Sequence, residues 1–146
     1  MTLTEANTIQ EYILKILQKD YTNLKWDYLS PESIQRKETD ILLEQTLLQK
    51  LKDLNPAIKE HPERADEVLY QLDKIIYSAQ DGLIKANDEF SKWLKGDKTM
   101  KFGQNNKDIP IKIIDFDNIH KNTFQVTKEY SVKSSSTGET KRADII

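Results

Sequence analysis

No cysteine occurs among the 146 residues, which excludes disulfides, thiolate zinc sites and cysteine nucleophiles and suits a reducing compartment. Histidine is almost as scarce. His61 precedes Pro62 at a helix start and His120 sits in a polar turn, so neither has the closely spaced partner that a metal motif needs, and both read as surface residues. Charge of one sign is not in excess either: 22 Lys and Arg against 24 Asp and Glu leave a net charge of −2. No global field therefore recruits nucleic acid, and any DNA contact must come from a local patch. No apolar run approaches the roughly 18 residues of a membrane span. Met1-Thr2-Leu3-Thr4-Glu5 lacks the basic and apolar blocks of a signal peptide. The expectation is a soluble, cytoplasmic chain with no membrane association. Missing too are a glycine-rich phosphate loop and a Ser/His/Asp set. What is present is a length that suits one domain, burying roughly 68–70% of its unfolded surface.

Hydrophobic periodicity divides the chain. Ile9, Tyr12, Ile13, Ile16 and Leu17 recur at helical spacing and predict a first helix with one buried face. Thr4 is its candidate N-cap, and Thr2-x-x-Glu5 is a capping-box pattern. A loop with Tyr21, Trp26 and Tyr28 follows, its aromatics packing over helix ends, closed by Ser30-Pro31. From Thr39 to Leu54 the pattern Leu43, Leu47, Leu48, Leu51, Leu54 predicts a second helix, ended by Asn55-Pro56. A third runs from about Pro62 through Val68, Leu69, Leu72, Ile75 and Ile76 to a break at Gly82. A fourth carries Leu83, Ala86, Phe90, Trp93 and Leu94, with Gly96 as its left-handed terminator. After Gly96 the period changes from about 3.6 to 2. Thr99–Phe102 is a weak strand and Ile109–Phe116 a stronger one, with Pro110 near its start. Phe124, Val126, Tyr130 and Val132 form the apolar face of a further strand, from which Glu129 points away. Ser134-Ser135-Ser136-Thr137-Gly138 is a flexible loop, and Ala143–Ile146 opens the last strand. Helices over the first two-thirds, then antiparallel strands, predict an α+β fold.

Carboxylates are the chemistry that remains. Asp115 and Asp117 have same-face strand spacing and are able to share a cation, although such a pair more often closes a strand with an Asx turn. Asp144 leads into the β-branched Ile145-Ile146 and, on the residues alone, is a solvated strand-start aspartate next to Arg142.

Several segments occur in a telling order: Thr4-Glu5-Ala6, Ile41-Leu42-Leu43-Glu44, Leu54-Asn55-Pro56, Ala86-Asn87-Asp88-Glu89-Phe90, Ile113-Ile114-Asp115-Phe116-Asp117-Asn118, Asn122-Thr123-Phe124-Gln125-Val126 and Arg142-Ala143-Asp144-Ile145-Ile146. Across nearly the whole chain they resemble the N-terminal region of the R protein of type I restriction enzymes, the subunit that joins an endonuclease domain to an ATP-driven DNA translocase. The resemblance implies a PD-(D/E)xK nuclease fold, in which an aspartate on one strand and a Glu-x-Lys on the next hold Mg²⁺ and activate water for phosphodiester cleavage. Asp144 falls at the first metal ligand, with Ala143 in place of the motif's proline. No Glu-x-Lys element follows Asp144 in these residues, so the chain reads as a fragment, residues 1–146, truncated within an incomplete restriction-endonuclease-like fold and inert by itself. Its helical insert spans about 39–95 and its strand region about 98–146. Glu5 is the candidate assisting carboxylate on the first helix, preferred to Glu11 but with a competing role as a helix cap. Lys128, Lys133, Lys141 and Arg142 form a modest basic cluster able to contact DNA phosphates, or a solvated loop.

For the intact subunit the resemblance implies Mg²⁺-dependent cleavage of double-stranded DNA after translocation, ATP in motor domains absent from these residues, and modification and specificity subunits as partners. A packing or docking role is expected for Ile41–Leu94. Two other functions stand beside this one, a non-enzymatic helical interaction module closed by a small sheet and a solitary PD-(D/E)xK endonuclease without a motor.

Overall fold

The computed structural model describes residues 6–19, 23–24 and 26–146. A π-helical turn at Ala6–Gln10 leads into α1 (Glu11–Gln18), then β1 (Asp27–Tyr28) and a 3-10 turn at Pro31–Ser33. Four helices follow, α2 (Glu44–Leu54), α3 (Pro56–Glu60), α4 (Glu63–Tyr77) and α5 (Leu83–Lys95), with a 3-10 turn at Ser78–Asp81 before the last. The remaining strands are β2 (Thr99–Phe102), β3 (Lys107–Pro110), β4 (Gln125–Val126), β5 (Lys128–Lys133) and β6 (Thr140–Ile145), with a 3-10 turn at Ile119–Lys121. The fold is α+β. Among the described residues β2–β3 and β5–β6 are antiparallel hairpins, and the short β1–β4 pair is parallel. No helix among them is long and apolar enough to cross a membrane. The chain divides into two compact units, Glu44–Asn122 and the stretch up to Leu43 joined by Thr123–Ile146.

In the Glu44–Asn122 unit the helical spacing of Ala65, Val68 and Leu72 puts all three on the buried face of α4, together with Leu51, Ile58, Ala86, Trp93, Phe102 and Ile111. Each fully buried aliphatic contributes about 1.5–3 kcal/mol over its exposed state. Gly96, at φ 78°, closes α5 by letting Asp97 N–H reach the Lys92 carbonyl at 2.9 Å, a left-handed stop that a Cβ would strain. Pro56 both ends α2 and opens α3, a short helix that periodicity does not reveal. α2 starts at Glu44 rather than Thr39, because Asp40 turns back on Lys37: its Oδ2 accepts the Lys37 N–H at 2.9 Å and its own N–H reaches the Lys37 carbonyl at 3.0 Å.

The strand expected over Ile109–Phe116 stops at Pro110. Beyond it the Ile111 N–H still reaches a backbone partner, the Lys98 carbonyl at 2.9 Å, and side chains bind the segment that follows. Asn55 takes both polar groups of Lys112, and Asn122 accepts the Asp115 N–H at 2.8 Å and donates to its carbonyl at 2.9 Å. Asp115 Oδ1 accepts the N–H groups of Asp117 at 3.1 Å and Asn118 at 2.9 Å, the Asx turn of the ordinary reading. Its pKa is held below the usual carboxylate value, first by the Asn118 N–H. His61 ends α3 and His120 lies in a 3-10 turn, both exposed.

In the other unit the first helix forms, but its expected face is wrong. Leu14 and Gln10 are buried, while Ile9, Tyr12, Ile13 and Ile16 are exposed. The face that meets the strands is the one carrying Gln10, which bonds Glu129 of β5, and Leu14. Thr2, Thr4, Glu5 and Tyr21 lie outside the described residues. Trp26 stacks on Phe124 with ring centroids 5.3 Å apart, tilted by 55°, beside the parallel pairs Asp27↔Gln125 and Tyr28↔Val126. The single strand expected from Phe124 to Val132 is broken at Thr127. Val126 and Tyr130 are buried as their parity requires, but Thr127 is buried too, between β4 and β5.

Candidate functional site

Asp144 lies on β6, which begins at Thr140, three residues before the expected start at Ala143. The preceding turn is closed by hydrogen bonds: Ser134 N–H to the Glu139 carbonyl at 2.8 Å, Gly138 N–H to the Ser134 carbonyl at 3.0 Å, and Thr137 N–H to Ser134 Oγ at 3.2 Å. It sets the register Lys133↔Thr140, Val132↔Lys141, Ser131↔Arg142, Tyr130↔Ala143 and Lys128↔Ile145. Glu129 and Asp144 fall between the pairs Lys128↔Ile145 and Tyr130↔Ala143. Beyond the hairpin Thr127 and Ile146 exchange backbone hydrogen bonds at 3.0 and 3.1 Å.

Strand alternation sorts the basic residues onto two faces. Lys128 and Lys141 share the face of Tyr130 and Ala143, whereas Lys133 and Arg142 share that of Asp144. Lys133, Lys141, Arg142 and Asp144 are exposed. Lys128 is occupied: its Nζ lies 2.5 Å from the Glu11 carboxylate of α1. That hydrogen bond is the main reason the Glu11 pKa is lowered and the Lys128 pKa raised. Arg142 Nε lies 2.7 Å from Glu129 Oε2, and Gln10 Nε2 donates to Glu129 Oε1 at 3.3 Å. Arg36 secures the other side of the hairpin, its guanidinium 3.8 Å above the Tyr130 ring and bonded to the Ser131 carbonyl.

The hairpin thus joins Glu129 to Arg142, two residues from Asp144 on β6, and the helix brings Gln10 and Glu11 to β5. Of these, Gln10 and Glu129 carry no sequence signal of a site, because the contact joining them spans 119 positions. Glu5, the preferred first-helix carboxylate, lies outside the described residues. A Mg²⁺ ion takes about six oxygen ligands in an octahedron. Among the described residues no group of three or more His, Cys, Asp or Glu is placed to hold a metal ion, so Asp144 offers one exposed carboxylate and not a complete site.

The family model for the type I restriction enzyme R protein N terminus matches residues 2–146. No curated protein and no solved structure matches the chain.

Proposed function

The chain belongs to the family of type I restriction enzyme R protein N termini, and from that premise we propose that it forms the endonuclease end of a restriction subunit that cuts double-stranded DNA. The observation that carries the proposal is Asp144: an exposed carboxylate near the end of a hairpin strand, preceded by Ala143, inside the matched region. In this proposal the fold is of the PD-(D/E)xK class and Asp144 supplies one ligand to Mg²⁺, other groups of the intact subunit completing the shell. The ion's role is to lower the pKa of a bound water and offset charge on the scissile phosphate. This chain's own part is to hold the Asp144 carboxylate on a register-fixed strand, with Arg142 and Lys133 on the same face for DNA phosphates. Glu5 is proposed as an assisting carboxylate. Double-stranded DNA and the modification and specificity subunits are the proposed partners, ATP is the proposed fuel of motor domains elsewhere in the subunit, and the compartment is the cytoplasm. The test is restriction in living cells: a subunit carrying Asp144→Ala is expected to assemble normally yet leave unmodified phage DNA unrestricted. Normal restriction by that variant would refute the assignment.

A second reading, a non-enzymatic interaction module, draws on the Glu44–Asn122 unit, which has its own core and leaves Tyr70, Tyr77, Leu83 and Ile84 exposed. It predicts that Tyr70→Ser with Tyr77→Ser disrupts subunit assembly, while Asp144→Ala leaves restriction intact.

A further inference from the structure

Among the described residues, those other than glycine at positive φ are Asn23, Asn106 and Glu129. Asparagine tolerates the left-handed region, but a glutamate inside a strand seldom adopts it. Glu129, at φ 55°, lies in β5 between Lys128 and Tyr130, whose partners Ile145 and Ala143 flank Asp144. Such a backbone persists only where its surroundings hold it. Two contacts do so here. Gln10, only 8% exposed, anchors Oε1, and Arg142 Nε lies 2.7 Å from Oε2. The carboxylate is therefore fixed on one side by a buried amide and carries a guanidinium on the other. The ion pair is made through Nε, and the Arg142 side chain is 63% exposed. Arg142 and Asp144 are two residues apart on one face of β6.

We propose that Glu129 is a positioning residue: it holds Arg142 by Nε so that the terminal nitrogens meet a DNA phosphate beside Asp144. The proposal rests on the reading of Asp144 as the carboxylate of the cleavage site. An unrestrained arginine on an exposed strand would approach DNA as a mobile charge. Held by Nε, it presents a planar two-nitrogen edge that matches a pair of phosphate oxygens. Lys128 is not available for this, being held by Glu11, and Lys141 lies on the opposite face.

The test is a double-mutant cycle on DNA affinity, measured with the intact restriction subunit in its complex, on unmodified duplex and with EDTA present so that nothing is cut. Arg142→Ala is expected to weaken binding about tenfold and to reduce the slope of log affinity against log salt by about one. In a Glu129→Gln background the same substitution is expected to cost no more than about twofold, since the contact has already lost its geometry. Equal losses in both backgrounds would overturn the proposal. Glu129→Asp, which keeps the charge but shortens the reach, runs the same cycle should Glu129→Gln fail to fold. Cleavage by Asp144→Ala, assayed separately with Mg²⁺, tests the underlying reading, so the two failures are distinguishable.

Discussion

Asn55, at the end of α2, holds both backbone groups of Lys112: Nδ2 donates to the Lys112 carbonyl at 2.8 Å and Oδ1 accepts the Lys112 N–H at 2.8 Å. The same Nδ2 reaches the Leu51 carbonyl at 2.8 Å, and the residue is 4% exposed. One side chain thus ties a helix end to the segment after β3 and does for Lys112 what a neighbouring strand would otherwise do. Asn55→Ala leaves those part-buried groups without their partner, with an expected cost of about 1–3 kcal/mol. Urea unfolding of the purified chain reads it directly. Asn55→Asp is expected to be no better, because a carboxylate would face two carbonyl oxygens.

Acid sensitivity follows from the carboxylates whose folded pKa is depressed. Asp115 is held below its ordinary value by the Asn118 N–H first, and Glu89 is held down to about 2 by Lys92 and then Lys98. A depressed carboxylate contributes stability above its unfolded pKa and loses it as pH falls through the folded one. The unfolding midpoint is therefore expected to be flat near neutrality and to fall below about pH 4. Asp115→Asn, which keeps the oxygen acceptor and removes the charge, is expected to shallow that fall; an unchanged profile would remove Asp115 from the account.

The first helix tests which of its faces is inside. Leu14 is 4% exposed, whereas Ile16 is 42% exposed. Leu14→Ala is expected to destabilise the unit by about 2–3 kcal/mol. Ile16→Ala is expected to change stability by less than about 1 kcal/mol. Hydrogen exchange at the α1 amides separates the two. Comparable protection losses would mean that the sequence pattern, and not Leu14, marks the buried face.

That helix shows where sequence pattern is informative and where it is not. For α4 and α5, Val68, Leu72, Ala86 and Trp93 follow a regular period and are buried, so local spacing was enough to read them, whereas Leu83, expected in the same series, is exposed at the start of α5. Gly96 was equally legible, because a left-handed helix stop calls for glycine. In the first helix Tyr12, Ile13 and Ile16 share a face of the regular α1, yet Leu14 and Gln10 are the residues covered, so apolar spacing alone selects the exposed face. The run after Pro110 reads as strand because its isoleucines alternate. Its backbone is instead bound by Asn55 and Asn122, contacts that no local pattern contains. Asp144 was visible only through the ordered resemblance of whole segments. The Glu129–Arg142 pair beside it depends on hairpin register, which the loop Ser134–Gly138 sets and composition does not.

The role proposed for Asp144 is read in cleavage of unmodified circular DNA by the complete complex of restriction, modification and specificity subunits, supplied with ATP and Mg²⁺. With Asp144→Ala in the restriction subunit, ATP hydrolysis is expected to continue at the wild-type rate while the circle stays covalently closed. Double-strand breaks at the wild-type rate would contradict the account.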